Sequence, residues 1–245
     1  PSLTSTFFFV FLFLFCLIAK AKNIVVILSD DHRYDFMSFM EESPKFLETP
    51  NLDRLAGEGA HLANAFVTTS LCSPSRASIL TGQYMRNHVV VDNQRPVPEG
   101  TMCFPEYLQD AGYQTGYVGK WHMGHEDDTP RKGFDHWVSF AGQGTYFDPT
   151  FNINGKRKSF KGYNADLLTD QAISWLNQVF KPNKKKKPFF LQVGYKAVHY
   201  PFQPPPRHDE RYSDKKIDYP ETMANTEENY HCLLYTSDAA DESVC

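Results

Sequence analysis

Asn23-Ile24-Val25-Val26-Ile27-Leu28 is a continuous run rich in β-branched residues, and Ser29-Asp30-Asp31-His32 follows it directly. A short apolar run without polar alternation marks a strand buried on both faces, as in parallel sheets covered by helices. Ligands of open α/β sheets gather beyond the carboxyl ends of the strands, where this acidic pair falls. Adjacent carboxylates supply the hard oxygen ligands that Ca2+ and Mg2+ take. A turn or helix cap is the commoner use of an Asp-Asp dipeptide, so the pair alone leaves both uses open.

The same arrangement recurs downstream. Gln114–Val118 reads as a strand leading to Gly119-Lys120-Trp121-His122, and Pro188–Tyr195 as a buried strand leading to Lys196-Ala197-Val198-His199. Thr49-Pro50 starts a helix that runs through Leu52 and Leu55 to Gly57 or Gly59. His61–Val67 has the composition of a short strand, and Phe104–Ala111 that of a short helix ended by Gly112. Pro96 and Pro98 make Gln83–Gly100 an irregular surface segment. Asn154-Gly155 predicts a hairpin over Phe151–Phe160. Asn164–Phe180 has the periodicity of an amphipathic helix, with Leu167, Leu168, Ile173, Leu176 and Val179 as its apolar positions. Strands alternating with helices predict an α/β fold, a doubly wound and mostly parallel sheet flanked by helices.

Between the first two strands lies Cys72-Ser73-Pro74-Ser75-Arg76-Ala77-Ser78-Ile79-Leu80-Thr81-Gly82. Pro74 suits the opening of a helix and Gly82 its close. A helix N-terminus offers free N–H groups and a positive dipole end, so an anion beside Cys72 is stabilised there, and Arg76 adds a cation one turn on. Lys120 and His122 leave a strand end two residues apart and can face one way. A lysine there is a point charge for an anion, and a histidine can hold or move a proton.

These residues carry a resemblance. Cys72-x-Pro74-Ser75-Arg76 followed by Leu80-Thr81-Gly82 resembles the signature of the type I sulfatases, of the alkaline-phosphatase-like superfamily. Gly112-Tyr113-x-Thr115-x-x-x-Gly119-Lys120-x-His122 is similar to the second signature of that family. The resemblance implies that a formylglycine-generating enzyme oxidises Cys72 to formylglycine, whose hydrate attacks the sulfur of a sulfate ester. It implies a divalent cation, Ca2+ before Mg2+, on Asp30, Asp31 and the oxygen at residue 72. Arg76 is then expected to bind the hydrate, Lys120 the sulfate, and His122 a hydrate hydroxyl. His199, within Ala197-Val198-His199-Tyr200-Pro201, matches the histidine that contacts sulfate or protonates the leaving alcohol. Asn152–Lys156 followed by Tyr163–Leu168 resembles N-acetylglucosamine-6-sulfatases, which implies a sulfated carbohydrate substrate.

The family completes its cation site with a later Asp-Asn pair, adds a further lysine on the sulfate, and ends in a smaller second domain. None of these is found in the chain. The expectation is therefore an N-terminal catalytic domain over residues 22–231, truncated at its C-terminus and a poor catalyst by itself. A phosphatase or phosphodiesterase of the same superfamily would carry Ser or Thr in place of Cys72 and two metal ions. A truncated binder of sulfated glycans would keep the pocket without turnover.

Composition is that of an ordinary globular protein: of 245 residues 41% are hydrophobic and 22% charged. A net charge of -4 gives no reason to expect a nucleic-acid partner, and Lys184–Lys187 reads as a solvated loop. Phe7–Ala19 is too short an apolar run for a stable membrane span and fits a secretory h-region, with cleavage after Ala19-Lys20-Ala21. Residues 1–21 are thus expected to be a signal peptide for the secretory pathway, with an extracellular, periplasmic or lysosomal destination. The five cysteines do not form a disulfide framework. Residues 232–245 lack periodicity and are expected to be a non-native or disordered tail.

Overall fold

Every residue of Phe189–Gly194 is buried, as its unbroken apolar reading requires, and this strand anchors a six-stranded sheet. The computed structural model describes residues 21–180 and 187–217. The expected signal peptide, most of the lysine run and the C-terminal tail lie outside those residues.

The elements in chain order are β1 (Ile24–Leu28), α1 (Pro50–Glu58), α2 (Cys72–Thr81), α3 (Met85–His88) and α4 (Phe104–Asp110). They continue with β2 (Gln114–Lys120), β3 (His136–Phe140), β4 (Thr150–Ile153), β5 (Lys156–Ser159), α5 (Asn164–Val179) and β6 (Phe189–Gly194). The sheet order is β1-β6-β2-β3-β4-β5. β1, β6, β2 and β3 are mutually parallel, and β4 and β5 add an antiparallel hairpin at one margin. The sheet is therefore mixed, with a parallel core.

Helices cover both faces, as a doubly wound sheet demands. On one face Leu168, Ala172 and Trp175 of α5 pack against Val118, Val138, Leu191 and Val193. On the other, Ala77 and Leu80 of α2 close over Tyr117, Trp121 and Trp137, with Cys103 beside them. The Tyr117 and Trp137 rings stack there at 4.8 Å between centroids, which adds a directional contact to the apolar burial. The hairpin turns where expected, with Asn154 at φ 49° and Gly155 at φ 89°, the left-handed pair a tight two-residue loop needs.

Several local expectations are corrected. β1 is not buried on both faces: Val25 is 49% and Ile27 63% exposed. Among the described strands β1 pairs only with β6, and no described helix packs broadly across it. His61–Val67 is not a strand, since its β-forming composition finds no partner ladder and Leu62, Phe66 and Val67 are exposed. β3 was not foreseen, because five residues alternating around Ser139 fall below a readable period. The segment 83–100 contains the short α3. On α5 Leu168 is buried and Leu167, Leu176 and Val179 pack against the same core as expected, with Asn164, Ala172 and Trp175 buried beside them, whereas Ile173 is 50% exposed and lies off the stripe.

The exclusion of Ile173 from the buried face is testable. Leu168→Ala removes a fully buried side chain and is expected to cost about 2–5 kcal/mol. Ile173→Ala should cost under about 1 kcal/mol. Guanidinium midpoints at unchanged m would separate the two, and equal losses would refute the assigned face.

Candidate active site

Asp30 lies directly beyond the residue that follows β1, and the ladder between β1 and β6 continues into the loops there. The Tyr195 N–H donates to the Leu28 carbonyl at 2.9 Å, the Asp30 N–H to the Ala197 carbonyl at 2.9 Å, and the Val198 N–H to the Asp30 carbonyl at 2.9 Å. These bonds hold the acidic pair beside the loop that bears His199. Lys120 closes β2 and is 0% exposed.

Asp30 is the meeting point. Its Oδ2 accepts from Lys120 Nζ at 2.6 Å and its Oδ1 lies 3.2 Å from Arg76 Nη2. Burial alone would raise this carboxyl, but the two cations outweigh it and hold it at about 2. Arg76 also donates from Nη1 to the Lys120 carbonyl at 2.6 Å, which ties α2 to the end of β2. The Tyr117 hydroxyl donates to the same carbonyl.

Cys72 is the first residue of α2 rather than a residue ahead of it. Its Sγ stands 3.7 Å from Asp30 Oδ1 and 3.7 Å from Lys120 Nζ. Burial pushes the thiol up to about 11, and Asp30 and Asp31 add to what Lys120 only partly offsets. The anion beside the helix start is therefore Asp30, and residue 72 is a neutral thiol while it remains cysteine.

Asp31 sits at φ 54°, in the left-handed region, with a carboxyl raised by burial and by the neighbouring Asp30. His199 Nδ1 faces the Tyr200 carbonyl at 2.7 Å, and since a carbonyl only accepts, Nδ1 carries the proton. Nε2 then lies 3.4 Å from Asp31 Oδ2. Ligand atoms of Asp30, Cys72 and His199 all fall within 4.8 Å of one another. A raised carboxyl, a low one beside it and an imidazole whose other nitrogen is fixed by a carbonyl together suit a divalent cation.

His122 is buried at φ 56°, and its carbonyl accepts from the Ser73 hydroxyl, which seats it against the first turn of α2. Left-handed backbone at two non-glycine site residues is the kind of strain that collects at functional sites.

Three contributors escaped the sequence reading. Gln143 Oε1 accepts from Lys120 Nζ, although nothing but its flanking glycines distinguishes it in the chain. Lys196 is buried with Nζ 4.9 Å from the Tyr146 ring centroid and 3.4 Å from the Tyr200 carbonyl. Burial, followed by repulsion from Lys120, lowers its pKa. The Tyr146 hydroxyl donates to the His199 carbonyl and so fixes that loop. The position of Lys196 two residues past β6 was the available signal for a site cation.

Residues 22–244 match the family model described as Sulfatase. The chain is 40% identical over 192 residues to an N-acetylglucosamine-6-O-sulfatase of Bacteroides thetaiotaomicron, covering 77% of this chain and 33% of that protein. It is 32% identical to the mouse (Mus musculus) arylsulfatase J over 78% of this chain and 34% of that one. The chain thus spans about a third of the length of these relatives. A protein solved with its substrate D-glucosamine-2-N,6-O-disulfate superposes with a TM-score of 0.74 at 37% identity, over 83% of this chain and 40% of that chain. A phosphonate monoester hydrolase of Agrobacterium radiobacter shares the fold, with a TM-score of 0.60 at 20% identity over 85% of this chain and 47% of that one.

Removing the shared carboxylate should be costly. Asp30→Asn leaves Arg76 and Lys120 buried without a counter-charge, and a loss of about 3–5 kcal/mol is expected at neutral pH. The depressed carboxyl contributes fully above its ordinary value of 3.8, and the contribution disappears as pH falls through about 2. Melts of cation-free protein between these values should fall more steeply for the parent than for Asp30→Asn, and parallel curves would refute the assignment.

Proposed function

Because the chain belongs to the sulfatase family, we propose that the protein hydrolyses the sulfate ester of a sulfated carbohydrate, with residue 72 in its formylglycine form as the nucleophile. The observation that carries this reading is the position of Cys72, at a helix N-terminus and 3.7 Å from both the Asp30 carboxylate and the Lys120 ammonium. A thiol held up at about 11 is a poor nucleophile at neutral pH, so the site needs another functional group on that carbon. Two-electron oxidation of the CH2SH side chain by a maturation enzyme, with molecular oxygen as the oxidant and the sulfur released as sulfide, gives an aldehyde whose hydration supplies two hydroxyls there.

In this reading one hydroxyl attacks sulfur in line, the S–O bond to the sugar breaks, and the alcohol leaves with a proton from His199. Loss of a proton from the second hydroxyl, to His122, then expels sulfate and restores the aldehyde. Lys120 faces the negative charge on the sulfate oxygens, while Asp30 and Arg76 fix where Lys120 and α2 stand. Asp31, Asp30 and the oxygen at residue 72 would hold a divalent cation, Ca2+ by family resemblance, with His199 at its margin. Such an ion supplies Lewis-acid stabilisation and lowers the pKa of a hydroxyl. Family membership also supports maturation of Cys72 by a formylglycine-generating enzyme. The apolar run of residues 7–19 supports passage through the secretory pathway behind a signal peptide.

The tryptic peptide Leu55–Arg76 of the secreted protein should weigh about 18 Da less than its thiol form. An unmodified thiol, made in a host able to modify it, would refute the nucleophile. Cys72→Ala should abolish hydrolysis of an aryl sulfate. Saturating Ca2+ should stabilise the parent by about 2.7 kcal/mol at a hundredfold excess over Kd and leave Asp31→Asn nearly unmoved. Equal shifts in both would remove Asp31 from the cation site.

A further inference from the structure

β5 forms the sheet margin opposite β1 and hydrogen-bonds only to β4 among the described strands. Its sequence is Lys156-Arg157-Lys158-Ser159, every one of these side chains is exposed, and Lys161 follows. Four of the six residues 156–161 are basic in a chain whose net charge is -4. Carboxylates answer only two of them. Arg157 Nη2 lies 2.9 Å from Asp128 Oδ1, and Lys161 Nζ lies 2.7 Å from Asp148 Oδ2. Lys156 and Lys158 have no carboxylate partner among the described residues, and Lys158 Nζ stands 5.1 Å from the Phe160 ring centroid.

The two-residue period of a strand puts Lys156 and Lys158 on one face, about 6.8 Å apart. One lysine is enough to keep an edge strand from pairing with another chain. Four cations within six residues go beyond that, and they have the density of a polyanion-binding segment. β5 stands three strands from β2, about 14 Å from the strand that ends at Lys120. That separation puts it outside the reacting site but on the same sheet.

We propose that the β5 margin is a docking surface for a sulfated glycan chain, engaging sulfate groups remote from the one being cleaved. The proposal rests on the sulfated-carbohydrate reading above, and its test does not need turnover. The lysines supply charge, and the outer N–H groups of the edge strand supply donors. A small monosulfated aryl substrate cannot reach this margin and is indifferent to it.

Binding of the intact protein to a size-defined heparin oligosaccharide, followed by fluorescence anisotropy at several salt concentrations, tests the surface. Lys156→Glu/Lys158→Glu should raise Kd at least tenfold and reduce the slope of log K against log salt by about 1.5, near the value for two lost contacts to a charged polymer. Hydrolysis of 4-nitrophenyl sulfate should stay within twofold, which also reports folding. Should the double variant fail to fold, Lys156→Gln/Lys158→Gln takes its place with a smaller expected loss, about threefold. The charge-matched Lys132→Glu/Lys216→Glu should leave Kd within twofold. Unchanged glycan binding in the Lys156/Lys158 variants overturns the proposal. So does an equal loss in the control pair, or equally tight single-stranded DNA binding that falls in parallel. A parent that binds glycan but whose aryl-sulfate hydrolysis survives Cys72→Ala would sink the hydrolase reading and leave the docking surface standing.

Discussion

A single buried carboxylate, that of Asp30, is shared between the guanidinium of Arg76 and the ammonium of Lys120. The three groups come from a strand end, a helix and a second strand end, 46 and 44 residues apart in sequence. Burying any of them alone would be prohibitive, and removing one leaves the others uncompensated. The triad therefore behaves as a lock: α2 can carry residue 72 to the sheet only where Arg76 meets both Asp30 and the Lys120 carbonyl. The position of Cys72 follows from that lock, because its Sγ hangs beside the same carboxylate.

The electrostatics around the lock are uneven. Asp30 is held low, Asp31 is raised, and the imidazole of His199 is aimed between them by a carbonyl on its far nitrogen. The two adjacent carboxyls differ in setting: Asp30 is paired with two buried cations and stays charged, whereas Asp31 lies beside His199. Lys196, buried against the Tyr146 ring, adds positive charge under the same loop without an ion pair of its own strength. Excess positive charge at the floor of a site suits a ligand with several anionic oxygens.

Much of this was legible in the chain because the site is built at strand ends. Asp30, Lys120 and His199 stand directly after apolar runs, but it was their match to family signatures that raised them above a cap, a solvated lysine and a structural histidine, and Pro74 with Gly82 bounded α2 closely. Gln143 was not legible, since its contact with Lys120 depends on a loop whose path no periodicity announces. Lys196 was quoted beside His199 and passed over, because a lysine after a strand looks solvated until the Tyr146 ring is known to cover it. The apolar run of β1 promised two covered faces, yet coverage depends on neighbours, and among the described residues no helix packs broadly across it. The stripe of α5 was misread at Ile173 because side-chain size was weighed above the positions of Asn164 and Ala172.

Gly119 and Gly194 face each other in register between β2 and β6, and a methyl group on Gly119 would come within 1.9 Å of the Gly194 carbonyl oxygen. Such a seam admits no side chain, so the segments that follow it, one bearing Lys120 and the other Lys196 and His199, share one rigid floor. Natural variation among descendants of this scaffold has little freedom there. Divergence in what the pocket accepts is channelled instead to its walls, where Val67, Ser70 and Leu71 can be exchanged with the floor undisturbed.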